Sequence, residues 1–107
     1  MPQGPNLNQL MKQAQQMQAE MAKAQEQLKS EIVEASAGGG MVKVTMTGDM
    51  QLREIKIDPE AIDPEDAELL QDMVTAAVSE ALRSAQALAE SRMGGIAGGM
   101  PGLPGMP

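Results

Sequence analysis

The hydrophobic period of this sequence changes twice, and that alternation limits the folds open to it. Leu7, Leu10, Ala14, Met17, Met21, Ala24 and Leu28 recur at alternating steps of three and four, which is the spacing of one seam along an α-helix. Gln, Lys and Glu fill the other positions and favour helix. The pattern predicts a helix over 6–30, capped by Asn6 or Asn8. In the middle of the chain the period falls to two. Val42, Val44 and Met46 alternate with Lys43, Thr45 and Thr47, as in a half-buried strand. Helical spacing then returns in Leu70, Met73, Val74, Ala77, Val78, Ala81, Leu82, Ala85 and Leu88.

Turn residues divide the middle stretch. Ile32 and Val33 open a first strand, and Gly38, Gly39 and Gly40 permit the backbone angles of a hairpin loop. Gly48-Asp49 reads as a two-residue turn with glycine first. A third strand is expected from about Met50 to Ile57. In it Leu52 is out of phase with Ile55 and Ile57, and a bulge near Arg53 reconciles them. Asp58-Pro59 ends the strand. Asp63 is the expected cap of the second long helix, with Pro64 at its first position. That helix should reach about Arg92 and stop at Gly94-Gly95. The fold class is α+β: helix, three-stranded antiparallel meander, helix. Residues 1–93 form a single α-β-β-β-α domain. Residues 94–107, GGIAGGMPGLPGMP, carry no charge and are expected to be a disordered tail.

A sheet of three strands is marginal by itself, and its open edges invite pairing. This chain has no Phe, Tyr or Trp to enlarge the core. A second copy that completes or covers the sheet is the economical solution, so a two-fold homodimer with a central sheet is expected.

The same composition narrows the chemistry. Without Cys there is no disulfide or thiolate, and without His the usual general base is missing. The glycine run leads into a strand, without the Lys-Ser or Lys-Thr of a phosphate loop. The carboxylates of DPEAIDPEDAELL lack the alternate spacing and central glycine of a calcium loop; helix capping accounts for them. No catalytic residue, metal ligand or cofactor is assigned, and an enzyme is not expected. The start lacks an apolar leader, and no apolar run approaches the ~20 residues of a membrane span. A cytoplasmic protein with no membrane partner is the expectation.

Charge is segregated. Asp58, Glu60, Asp63, Glu65, Asp66, Glu68 and Asp72 lie in a stretch with no Lys or Arg, and it carries the whole net charge of −7. The remainder is balanced. Antiparallel helices would bring Lys12 beside Arg92 at the tip farthest from that stretch. Met-rich seams and the uncharged tail suggest a second possibility, a protein-interaction adaptor with no physiological DNA binding.

The run GGGMVKVTMTGDMQLREIKIDPEAIDPEDAELLQDMVTAAVSEAL follows a Gln/Met/Lys-rich helix and precedes a Gly/Met/Pro tail. It resembles the YbaB/EbfC family of bacterial nucleoid-associated proteins. The GGG-x-V-x-V turn and strand, the I-D-P strand end and the D-P-E-D helix start carry the likeness. The resemblance implies a homodimer with protruding helices that binds double-stranded DNA with little sequence preference, acting in nucleoid organisation or gene expression. Binding through the helices would fall to Lys12, Lys23, Lys29, Arg83 and Arg92, the candidate phosphate contacts.

Overall fold

A computed structural model describes residues 6–98, with side chains described to residue 95. Helix α1 spans Leu7–Ser30, followed by strands β1 (Ile32–Ala37), β2 (Val42–Thr47) and β3 (Leu52–Ile57), a 3-10 turn (Pro59–Ala61) and helix α2 (Ala67–Gly98). The strands form an antiparallel meander in the order β1-β2-β3. This is the predicted α+β order.

Asn6 caps α1, its side chain accepting from the Asn8 backbone at 2.9 Å. The β1–β2 register pairs Ala35 with Val44 and Ala37 with Val42. Gly38, Gly39 and Gly40 all take positive φ in the intervening turn, a conformation that disfavours any side chain. At Gly38 an added methyl would also fall on the Met73 sulfur of α2. The bulge predicted near Arg53 is present. Thr45 pairs with Glu54 and Met46 with Leu52, so Arg53 is the extra residue. Leu52, Ile55 and Ile57 thereby share one face.

The second hairpin differs from expectation. Its loop has three residues, closed where the Thr47 N–H donates to the Gln51 carbonyl at 2.8 Å. The left-handed residue is Met50, at φ 65°, as in a type I turn followed by one αL residue. Gly48 is needed there for space, not for its backbone angle. Its N–H reaches both the Leu28 and the Glu31 carbonyls at 2.9 Å, which ties the end of α1 to the hairpin.

Two helix boundaries also differ. Asp63 caps a separate turn by accepting from Glu65 N–H at 2.9 Å, and Asp66 caps α2 through Leu69 N–H at 3.3 Å. Asp58 caps the 3-10 turn in the same manner. Three Asp residues within nine positions offer equivalent caps, and only the last leads into uninterrupted helical sequence. At the other end, α2 passes through Gly94 and Gly95 to Gly98. Glycine costs a helix about 1 kcal/mol but keeps its N–H donor, so it need not stop one. The predicted tail therefore begins in helix, and its residues 99–107 lie outside those described.

The core is a thin layer between α2 and one sheet face. Ala77, Ala81 and Ala85 are fully buried at four-residue spacing and bring α2 close to Val42, Val44 and Met46. Packing lies over β1 and β2. Every residue of β3 except Ile57 is exposed.

Candidate nucleic-acid interface

Cover over the α1 seam is uneven: Met17 is half-buried, and Leu7, Leu10, Ala14 and Met21 are exposed. Ala24 and Leu28 are buried, and Leu28 meets Leu88 of α2 around Gly48. Arg92, one turn further along α2, lines an open cleft with Glu20, Lys23, Ala24 and Gln27 of α1. As α2 advances from Leu88 to Arg92, its neighbours on α1 move back toward the start of that helix. The helices are thus antiparallel, as expected, but offset. Most of α1 projects past the sheet with its outer face exposed.

That outer face carries Lys12, Lys23 and Lys29, opposite the seam. Asn8, Gln9, Gln15 and Gln16 lie among them, and Glu26 is the one carboxylate on this face. All of these side chains are exposed. Glu26 pairs with Lys29 at 3.4 Å, whereas Lys12 and Lys23 make no ion pair among the described residues. Lys12 and Lys29 are seventeen positions apart, roughly 26 Å along a helix. Ammonium and amide donors along such a rod suit the phosphate oxygens of a nucleic-acid backbone.

The structure does not bring Lys12 and Arg92 together. Arg92 Nε donates to Glu31 Oε2 at 3.2 Å, and Nη2 contacts the other carboxylate oxygen. The offset places Arg92 beside Lys23, while Lys12 lies eleven positions further out. The sequence reading assumed helices paired over their full lengths; the tie between Gly48 and the end of α1 sets the offset instead. Arg83 is also held, by Glu80 at 2.7 Å, on the sheet-bearing part of α2. Of the five candidates, Lys12 and Lys23 are therefore the ones without a carboxylate partner among the described residues. The Arg92–Glu31 pair is exposed at 45% and 30%, and such a pair contributes less than about 1 kcal/mol. Arg92→Gln should thus lower the thermal midpoint by no more than about 5 °C, as read by circular dichroism.

The sequence reading passed over three bases on the sheet. Lys43 and Lys56 are directly opposed cross-strand partners on the face away from α2, and Arg53 stands in the bulge. Like charges so placed are unfavourable. Lys56 leans to Glu54 at 4.0 Å. The alternation about the glycine turn and the register it sets were the available signal. Among the described residues, no group of three His, Cys, Asp or Glu side chains is placed to hold a metal ion, and no helix is long and apolar enough to cross a membrane.

Known proteins resemble this chain in fold and in sequence. A solved structure of an uncharacterized protein from Helicobacter pylori superposes with a TM-score of 0.78 at 24% identity, covering 87% of this chain and 98% of the other. It shows the fold. A nucleoid-associated protein of Ruminiclostridium cellulolyticum is 52% identical over 103 residues, spanning 96% of this chain and 90% of its own. One from Streptomyces avermitilis is 52% identical over 105 residues, covering 94% and 93%. One from Chloroflexus aurantiacus is 50% identical over 98 residues, covering 92% and 98%. Residues 3–100 match the YbaB/EbfC DNA-binding family, and the chain belongs to that family.

Proposed function

We propose that this protein binds duplex DNA as a homodimer with little sequence preference, through the outer face of α1, and acts as a nucleoid-associated protein. The observation that carries the reading is the projecting rod with Lys12, Lys23, Lys29 and uncharged amides. It stands apart from the acidic stretch at the start of α2. Charges farther apart than ~10 Å are largely screened at moderate salt, so the acidic stretch weakens this face little. The family and the names of the relatives point the same way.

α1 carries no Arg, a common bidentate reader of guanine edges. Lysines and amides on a long helix favour backbone contacts, which position a protein without specifying sequence. A dimer supplies two such faces. The exposed apolar residues of β3, Leu52 and Ile55, support a second copy seated on that strand.

Gel shifts on unrelated duplexes at several salt concentrations test the proposal. Wild-type affinity should vary little between duplexes and fall steeply with salt, by about 0.9 log units per log unit of salt for each phosphate contact. Replacing Lys12, Lys23, Lys29, Arg83 and Arg92 together with Gln should flatten that dependence and abolish most binding. Single changes at Lys12 and Lys23 should account for more of the loss than those at the paired Arg83 and Arg92. Unchanged affinity in the five-residue variant would sink the proposed mode.

A further inference from the structure

We propose, building on the DNA-binding reading above, that Glu31 restrains Arg92 and thereby guards a phosphate position in the cleft between α1 and α2. Once released, Arg92 takes a backbone phosphate there together with Lys23.

The cleft gathers charge from separate elements. Glu20, Lys23 and Gln27 line it from α1, and Arg92 lines it from α2. Glu31 stands just past the end of α1 and holds Arg92 from there. Arg92 Nε donates to Glu31 Oε2 at 3.2 Å, and Nη2 contacts the other carboxylate oxygen. Lys23 and Glu20 make no ion pair among the described residues. The two cations of the cleft thus differ: one is available to a phosphate and the other is engaged.

Engagement matters for an arginine. Its strength toward phosphate lies in paired N–H donors that meet two oxygens at once. Glu31 occupies one edge of that fork and sets a negative charge beside the other. The position of Glu31 is also well fixed. Its backbone N–H donates to the Gln27 carbonyl at 3.1 Å, and its carbonyl accepts from Gly48 N–H at 2.9 Å. The carboxylate therefore meets Arg92 from a set place, which lessens the ordering cost of a surface pair. Arg92 and Glu31 both keep contact with water, so an incoming phosphate competes for the guanidinium at the mouth of the cleft. Phosphodiester chemistry suits the released site, with an ammonium on one side, a guanidinium on the other and the Gln27 amide between strands of charge that would otherwise cancel.

Glu20 supplies the control. It lines the same cleft, so Glu20→Gln removes the same charge without releasing Arg92. Gel shifts on one duplex at several salt concentrations compare wild type, Glu31→Gln, Glu20→Gln and the double variant Glu31→Gln, Arg92→Gln. Glu31→Gln should bind up to about fivefold tighter than wild type, the most that an exposed pair withholds. Its salt dependence should steepen by about 0.9 log units per log unit of salt, one phosphate contact more. The double variant should lose both gains, and Glu20→Gln should keep the wild-type salt dependence. In the free protein, the Arg92 Nε–H should exchange with water faster in Glu31→Gln, as read by NMR. Equal effects of Glu31→Gln and Glu20→Gln would reduce the change to net charge and overturn the proposal. A gain that persists without Arg92 would overturn it too, as would unaltered Nε–H exchange. Wild-type binding that Glu31→Gln leaves unchanged would overturn the restraint alone. No binding by any of the four chains would overturn the DNA-binding reading itself, and this proposal with it.

Discussion

Gly48→Val is expected to lower the unfolding free energy by about 3 kcal/mol, and Gly48→Ala by about half as much. A Cβ at this position would lie 2.7 Å from Leu28 Cδ2, 3.0 Å from the Leu28 carbonyl oxygen and 3.2 Å from Leu88 Cδ2. Both leucine methyls lie around Gly48, where the α1 seam is buried at Leu28. The carbonyl cannot retreat cheaply, because it accepts the Gly48 N–H at 2.9 Å. Relieving the clash therefore breaks that bond or pushes α1 off the hairpin. Overpacking alone costs about 1–3 kcal/mol, and each lost hydrogen bond adds about 1 kcal/mol. Domains of this size hold only about 5–15 kcal/mol in total. Urea unfolding followed by circular dichroism measures the loss. Hydrogen exchange should show α1 opening before the sheet. A variant as stable as wild type would mean that Gly48 does not anchor α1.

Why this glycine escaped the sequence reading is instructive. Gly48-Asp49 looked like a turn that needs glycine for its backbone angle, yet the left-handed residue is Met50. Turn composition identifies the loop and not the reason for each residue in it. Where one local signal had no rival, the reading succeeded. The heptad of α1 has no competing period. Leu52 falls out of phase with Ile55 and Ile57, and a single bulge at Arg53 is the least change that restores one face. Where equivalent signals competed, it failed. Asp58, Asp63 and Asp66 are all good caps, and local sequence does not rank them. Gly94 and Gly95 weaken a helix without removing its donors.

The candidate interface was legible only in part, for a related reason. That Lys12, Lys23 and Lys29 oppose the seam follows from helical spacing. The partners of Arg92 do not, because they depend on how far α2 slides along α1. That offset is set by Gly48, Leu28 and Leu88, which are sixty residues apart at the extremes. No local pattern encodes such a distance.

The double variant Leu52→Asp, Ile55→Asp should convert the proposed dimer to a monomer without unfolding it. In the single chain these residues are 51% and 37% exposed, so an aspartate at either position keeps contact with water. Across a two-fold interface each change acts twice. Burying a Leu or Ile side chain contributes about 1.5–3 kcal/mol, and four carboxylates on one seam would add repulsion. The combined loss should exceed about 5 kcal/mol, which is more than a thousandfold in the dissociation constant. Sedimentation equilibrium gives the mass, and circular dichroism on the same sample shows whether the helices persist. A folded variant that keeps the wild-type mass would move any interface away from β3. The DNA readout should change in step. A monomer presents one α1 rod instead of two, so its salt dependence should fall by about half. Lys12 and Lys23 remain in place throughout, so that change would isolate the contribution of the second copy from that of the charges themselves.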